Sequence, residues 1–112
     1  MTKENGPVNK IPYNERSKVY AQALDSFGTV TQLVVALEEL SEIQKEICKA
    51  IRGEVNLQHL AEEIADASIM LEQLRLLFDI NDEVCDIMDA KVERLRQRIQ
   101  HKHFPDGDAN KN

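Results

Sequence analysis

Apolar residues recur at alternating spacings of three and four between Leu57 and Phe78, and this pattern limits the fold more than any other feature of the chain. Such spacing places side chains on one face of an α-helix, whereas a strand alternates with a period of two. The pattern therefore predicts an amphipathic helix that starts after Asn56 as its N-cap and runs to about Phe78. Its apolar stripe comprises Leu57, Leu60, Ile64, Ala67, Leu71, Leu74 and Phe78.

Three further helices are predicted from the same kind of spacing. The first covers about 14–25, and the second covers about 30–52, with Thr29 as its candidate N-cap and Gly53 as its stop. The last follows a break at 79–81, with acidic residues in its first turn and basic residues in its last, as the helix dipole favours. The stripes predicted to face inward are Leu33, Leu37, Leu40, Ile47 and Ile51 in the second helix and Val84, Ile87 or Met88, Val92, Leu95 and Ile99 in the last.

No segment shows a strand pattern, so we expect an all-α fold, a helical bundle built on two long antiparallel helices. The 112 residues, with 42% apolar content, fit a single small domain. We expect a flexible lead over 1–13, the domain over 14–100, and a disordered tail over 101–112, where Pro and Gly interrupt any periodicity.

The sequence contains no apolar run long enough to cross a bilayer and no pattern of a signal peptide. We therefore expect a soluble, cytoplasmic protein without a membrane partner. Cys48 and Cys85 match no metal-binding spacing and are predicted to be buried, reduced thiols. The net charge of −6 argues against nucleic acid as the main partner, because proteins that bind a phosphate backbone usually have a basic face.

Two short acidic clusters lie inside the two long predicted helices. The first contains Glu38, Glu39 and Glu42, and the second contains Glu63 and Asp66. Residues three or four apart share a helix face, so Glu39 points with Glu42, and Glu63 points with Asp66. If the two helices pack antiparallel, four carboxylates converge. Such oxygen ligands suit a hard cation such as Mg²⁺, with Mn²⁺ as an alternative.

Acidic pairs at this spacing are also common on solvated helix surfaces. A solvated helix usually answers an acid with Lys or Arg four residues later, but here Glu38 is followed by Glu42, and Glu42 by Glu46. A bound cation would relieve the repulsion between these carboxylates. Glu46 itself and Glu62 are predicted to be surface residues. His59 is predicted to be surface or structural, because it has no companion at metal-ligand spacing.

The two clusters resemble the EExxE and ExxD motifs of the MazG-like nucleoside triphosphate pyrophosphohydrolases, a family of all-α enzymes. The similarity extends over about 27–98. It implies Mg²⁺-dependent hydrolysis of a nucleoside or deoxynucleoside triphosphate to the monophosphate and pyrophosphate, with a role in clearing the nucleotide pool. The resemblance assigns the metal ligands as Glu39, Glu42, Glu63 and Asp66, with Glu38 as a supporting acid.

Substrate contacts are predicted at four positions. Lys91, Arg94 and Arg98 share one ridge of the last helix, and in the family that they resemble, basic residues in this region contact phosphate. Basic residues near a helix C-terminus are also favoured by the helix dipole without any ligand. Gln32 resembles a position near the nucleotide pocket, although a polar residue in the first turn of a helix is more often simply exposed.

Apolar residues outside the main stripes favour association into a homodimer or homotetramer, which the resemblance also implies. They are Val34, Val35, Ile43, Ile69 and Met70. Two alternative functions remain open. A phosphoribosyl-ATP pyrophosphohydrolase would use similar acids on a different substrate, and a non-catalytic helical interaction module would carry them as solvated surface. A di-iron bundle needs Glu followed three residues later by His, and no Glu of this sequence has that neighbour.

Overall fold

Four α-helices make up most of residues 10–102, the part of the chain that the structure, a computed structural model, describes. They are α1 (Tyr13–Phe27), α2 (Thr29–Ile51), α3 (Leu57–Leu77) and α4 (Asn81–Lys102). These residues contain no strand, so the predicted all-α class is confirmed. None of the four helices is long and apolar enough to cross a membrane.

The predicted lead and tail lie mostly in residues 1–9 and 103–112, which are outside the described part of the chain. His101 and Lys102, which were assigned to the tail, form the last turn of α4.

Local backbone chemistry sets the ends of α2 and the start of α3. Gly28 is the N-cap of α2 with a φ of 92°, a conformation that glycine adopts readily because it has no Cβ. The prediction of Thr29 as N-cap is therefore wrong, and Thr29 is the first helical residue. Gly53 has a φ of 76° just after α2, as expected for a helix stop. The Asn56 side-chain oxygen accepts a hydrogen bond of 2.9 Å from the His59 backbone N–H, which confirms the predicted cap of α3.

The described residues divide into two units after Asp79. In the first unit α1, α2 and α3 pack against one another. Glu46 of α2 contacts His59 near the start of α3, and Glu39 lies beside Glu63 one turn further along α3. Residue numbers thus rise along α3 as they fall along α2, so the two helices form an antiparallel hairpin.

The most buried side chains of α2 and α3 line what we call the α2–α3 seam, and all of them except Met70 are small or polar. Met70 is 6% exposed, which corrects the prediction that it contributes to association with a second copy. Ala36 and Ala67 are buried, and small residues allow two helices to approach closely. Gln32, Glu46 and Gln73 are buried as well. Burying a polar group costs free energy unless it gains a partner, so the composition of this seam points to a role beyond packing.

The predicted apolar stripes of α2 and α3 are largely exposed in the single chain, so the expectation that they face inward holds for only part of each stripe. Leu37 and Ile51 on α2 are 68% and 81% exposed, and Leu57 on α3 is 74% exposed. Helical periodicity shows which residues share a face, but it does not show whether that face meets a neighbour in the same chain. Ile47, Ile64, Leu71 and Phe78 are also exposed, Leu33, Leu40, Leu60 and Leu74 are half-buried, and Ala67 is buried.

A charged contact ties α1 to α3. Arg16 donates through Nε and Nη2 to the two carboxylate oxygens of Glu72, each at 2.9 Å, and Tyr20 donates its hydroxyl to the same carboxylate. A bidentate pair of this kind fixes orientation as well as distance. The hydrogen bond from Arg16 lowers the pKa of Glu72, and burial raises the pKa of Tyr20.

The second unit contains α4, and no residue of this helix is buried. The stripe predicted to face inward is half-buried only at Val84. Its other members, Ile87, Met88, Val92, Leu95 and Ile99, are exposed.

The two cysteines are exposed free thiols, Cys48 on α2 and Cys85 on α4. This corrects the prediction that both are buried.

Candidate metal centre

Three carboxylates from α2 and α3 converge at the edge of the seam. Glu39, Glu63 and Asp66 each offer one oxygen, and these oxygens all lie within 4.8 Å of one another. Among residues 10–102 this is the one group of three or more His, Cys, Asp or Glu side chains close enough to share a metal ion. Glu39 and Glu63 are half-buried and Asp66 is exposed, so the cluster is open to solvent on one side.

The positions of the three acids follow from the sequence. Glu63 and Asp66 are three residues apart and lie on one face of α3, as predicted. Glu39 reaches them from α2 because the five-residue connection after α2 returns the chain antiparallel. Gly53 and Asn56 in this connection fix where one helix stops and the next begins. The register of the hairpin therefore brings the two predicted motifs together.

Burial and the neighbouring charges of the cluster both act on Glu39. Burial raises the pKa of Glu39 above its ordinary value, and the charges of Asp66, Glu63, Glu42 and Glu38 raise it further, in that order. Each of these effects disfavours another negative charge at this position. A divalent cation would reverse them, because its charge favours ionised carboxylates.

The two oxygens of Glu63 have different surroundings. Oε2 lies 3.4 Å from Nε2 of His59, whereas Oε1 is buried and has no hydrogen-bond partner among the described residues. A buried carboxylate oxygen without a donor is costly, and a metal ion is one group that would compensate it. The donor set consists of hard carboxylate oxygens and includes no thiolate. These residues therefore fit Mg²⁺ or Mn²⁺.

The other two acids of the first motif are outside this group of three. The Glu42 carboxylate accepts a hydrogen bond of 3.3 Å from Nζ of Lys45, three residues later on α2. Glu38 is exposed, and its backbone carbonyl accepts a hydrogen bond from the Ser41 hydroxyl. The structure thus brings together three of the four predicted ligands, and Glu42 is near enough only to raise the pKa of Glu39.

Glu46 is not a surface residue, contrary to the prediction. Its side chain is 2% exposed, and Oε2 lies 3.2 Å from Nζ of Lys49 and 3.2 Å from Nδ1 of His59. Lys45 pairs with Glu42 and Lys49 pairs with Glu46, each lysine three residues after its acid. These two acids are therefore compensated, although the sequence places no basic residue four positions after either of them. Glu62 is exposed, as predicted. A signal for Glu46 was present in the sequence, since it lies seven residues after Glu39, on the same face of α2.

Two glutamines, Gln32 and Gln73, lie in the seam beyond the three carboxylates, away from Glu46 and His59. Gln32 is buried, although a residue at such a position is more often exposed, and it lines a small cavity together with Gln73. Gln73 was not predicted from the sequence. It is 7% exposed, and its side-chain oxygen has no hydrogen-bond partner within the described range. Gln73 follows Asp66 by seven residues, or two turns of α3, so it lies on the same face of that helix.

The predicted phosphate-binding residues Lys91, Arg94 and Arg98 are exposed on α4, in the second unit. Their contact with a substrate stays a prediction.

Comparison of this chain with protein-family models, with curated proteins and with solved structures found no match.

Proposed function

We propose that the protein is a Mg²⁺-dependent nucleoside triphosphate pyrophosphohydrolase. The main support is the convergence of Glu39, Glu63 and Asp66, whose oxygens lie within 4.8 Å of one another. Carboxylates accumulate in this way at the cost of mutual repulsion, and a divalent cation removes that cost. The resemblance of the two motifs to MazG-like enzymes supplies the substrate class and the reaction.

In the proposed mechanism Glu39, Glu63 and Asp66 hold the cation, and Glu42 is the fourth ligand that the motif implies. Glu38 adds negative charge beside Glu39 and so favours cation binding. A Mg²⁺ ion held by these residues would neutralise charge on the triphosphate and would make its phosphorus more electrophilic. A carboxylate of the cluster orients a water molecule for attack on the α-phosphorus. As the bond from the water oxygen to the α-phosphorus forms, a proton of the water passes to the carboxylate that orients it. The bond from the α-phosphorus to the oxygen that bridges it to the β-phosphorus breaks, and the products are a nucleoside monophosphate and pyrophosphate.

The proposed substrate contacts are Gln32 and the three basic residues of α4. Gln32 is buried in the same seam as the carboxylates, seven residues before Glu39 and on the same face of α2. Lys91, Arg94 and Arg98 are proposed on the resemblance alone, as cations that offset phosphate charge.

A second copy of the chain is part of the proposal. Val30, Leu37 and Ile51 follow one another along α2 at spacings of seven and fourteen, and they are 73%, 68% and 81% exposed. Apolar residues at heptad spacing are typical of helices that pack against another helix. We therefore propose a homodimer or homotetramer in which the exposed stripes of the hairpin are covered.

A substrate screen tests the proposed reaction. Canonical and modified nucleoside triphosphates, together with phosphoribosyl-ATP, are incubated with the protein and Mg²⁺, and the release of pyrophosphate and of orthophosphate is measured. We expect release of pyrophosphate from at least one nucleoside triphosphate. Chelation of Mg²⁺ should stop this release, and added Mn²⁺ should restore it. Release of orthophosphate alone would contradict attack at the α-phosphorus. Hydrolysis of phosphoribosyl-ATP alone would favour that substrate instead.

The interaction-module alternative predicts a different outcome. It requires no hydrolysis of any substrate and no change in melting temperature on addition of Mg²⁺ or Mn²⁺. A ligand that binds only the folded state must raise the melting temperature, so the two measurements together separate the alternatives.

A further inference from the structure

A series of side-chain contacts connects Lys49 of α2 to Glu63 at the candidate metal centre. Nζ of Lys49 lies 3.2 Å from Oε2 of Glu46, and the same oxygen lies 3.2 Å from Nδ1 of His59. On the opposite side of the imidazole, Nε2 lies 3.4 Å from Oε2 of Glu63. His59 therefore connects a buried acid of α2 to an acid of the three-carboxylate group.

Glu46 is the most deeply buried residue in this series of contacts. Its side chain is 2% exposed, and its Oε1 has no hydrogen-bond partner in the part of the chain that is described. A carboxylate in such a position is stabilised only by the groups that contact it. Lys49 and His59 both contact the same oxygen of Glu46, so the orientation of this side chain depends on both.

The imidazole transmits this orientation because it is a rigid ring with nitrogen atoms on two sides. An acceptor oxygen faces each ring nitrogen, with Oε2 of Glu46 at Nδ1 and Oε2 of Glu63 at Nε2. Once Nδ1 is held by Glu46, the position of Nε2 is fixed, and with it the oxygen of Glu63 that Nε2 can hold. The contact at Oε2 leaves Oε1 of Glu63 buried and without a partner in this description.

We infer that His59, braced by Glu46, is a positioning residue that fixes the Glu63 carboxylate with Oε2 toward the imidazole and Oε1 toward the bound cation. The inference rests on the proposed function, because it assigns His59 a role only if the three carboxylates bind Mg²⁺. Groups that orient metal ligands in this way commonly change metal affinity by 10- to 100-fold when they are removed.

A purely structural bridge between α2 and α3 would have a different effect. Its loss would lower the melting temperature of the metal-free protein and leave the Mg²⁺ affinity unchanged. The two quantities are separated by recording melting temperature as a function of Mg²⁺ concentration, since the shift from the metal-free value reports binding.

The experiment compares wild type with His59→Gln and Glu46→Gln. The His59 side chain is 45% exposed, so this variant is the safer of the two for folding. We expect the half-saturating Mg²⁺ concentration to rise about 10-fold in His59→Gln and by a similar factor in Glu46→Gln. Glu62→Gln is the matched control, because Glu62 adjoins Glu63 in sequence but is exposed and contacts Gln58. We expect its Mg²⁺ response to match that of wild type.

The double variant tests whether Glu46 acts through His59. Residues that act as one unit are not additive, so the double variant should be no weaker in Mg²⁺ binding than His59→Gln alone. A further loss in the double variant would overturn the braced arrangement. An unchanged half-saturating concentration in His59→Gln, with a normal wild-type response, would overturn this inference alone. A wild type that does not respond to Mg²⁺ would overturn the proposed function and this inference with it.

Discussion

At the scale of single residues, Glu63 is the best place to separate metal binding from folding. It is half-buried, belongs to the three-carboxylate group, and has one oxygen without a partner among residues 10–102. Glu63→Gln preserves size and helix propensity but removes a charged ligand. We expect pyrophosphohydrolase activity to fall by at least ~100-fold, because lost charge stabilisation usually has an effect of this size.

The same variant should not lower the melting temperature of the metal-free protein, although it lowers activity. Without metal, Glu63→Gln should melt at the wild-type temperature or slightly above it, because the remaining carboxylates repel one another less. Mg²⁺ should raise its melting temperature much less than that of wild type. Glu54→Gln is the control for loss of charge, since Glu54 is exposed and its side-chain Oε1 lies 3.2 Å from Nε of Arg52, away from the three carboxylates. Full activity and an unchanged Mg²⁺ shift in Glu63→Gln would refute the carboxylate site.

A second residue-scale prediction concerns Glu72. The hydrogen bonds from Arg16 and Tyr20 lower the pKa of Glu72, so its charge stabilises the fold above the unfolded-state pKa. This contribution is lost as the pH falls through the lowered folded-state pKa. We expect Glu72→Gln to reduce the free energy of unfolding by about 1–3 kcal/mol at pH 7. The loss should shrink on acidification, as measured by urea unfolding at several pH values.

The exposed Glu62→Gln variant provides the comparison, because Glu62 lies on the same helix and its carboxylate accepts a hydrogen bond from Gln58 of that helix. If wild type and Glu72→Gln lose stability in parallel as the pH falls, the pKa of Glu72 is not lowered by folding.

The sequence predicted the positions of the three converging acids more successfully than the burial of Glu46. Glu63 and Asp66 could be paired because their relation is local to one helix, and Glu39 followed from an antiparallel hairpin. Glu46 and His59 were misjudged or left without a role, since their contact joins residues from two helices. Whether a charged side chain is buried depends on what the neighbouring helix places opposite it, and a periodic pattern does not contain that information.

At the scale of helices, α3 depends on a single side-chain cap. Asn56 accepts a hydrogen bond of 2.9 Å from the backbone N–H of His59, and this satisfies one of the unpaired donors of the first turn. We expect Asn56→Ala to lower the free energy of unfolding by about 1 kcal/mol. Urea unfolding without metal is the measurement. Asn56→Ser should retain most of the stability, because its hydroxyl can still cap the helix, and an Ala variant as stable as wild type would show that the cap contributes nothing.

Helix bounds were predictable because their signals are local. Gly53 and Asn56 act on adjacent backbone groups, and both predictions are confirmed. The N-terminus of α2 was misplaced by one residue because Gly28, rather than the hydroxyl of Thr29, occupies the cap. Gly28 takes a positive φ, and the prediction weighed side-chain capping ahead of backbone conformation.

At the scale of the whole molecule, the apolar pattern correctly predicted helices, but it did not show which apolar residues are buried within one chain. The stripes of α2 and α3 are largely exposed, while the buried seam contains alanine, glutamine, glutamate and a single methionine. A stripe selected for burial in an assembly has the same period as one buried within a chain. The sequence alone therefore does not distinguish the two.

The proposed assembly yields the last prediction. If a second copy covers the exposed face of α2, the protein should be a dimer or larger at micromolar concentration in light scattering, and the proportion should depend on concentration. Leu37→Gln replaces a 68% exposed apolar side chain with a polar one of similar helix propensity, without adding charge beside the acidic cluster. It should shift the equilibrium toward monomer, because a polar group in a helix–helix contact loses hydration without gaining a partner. Thr31→Gln, at an exposed polar position of the same helix, should leave the assembly intact. A wild-type mass of 12.8 kDa at every concentration would contradict the assembly, and the exposed stripe of α2 would then need a different partner.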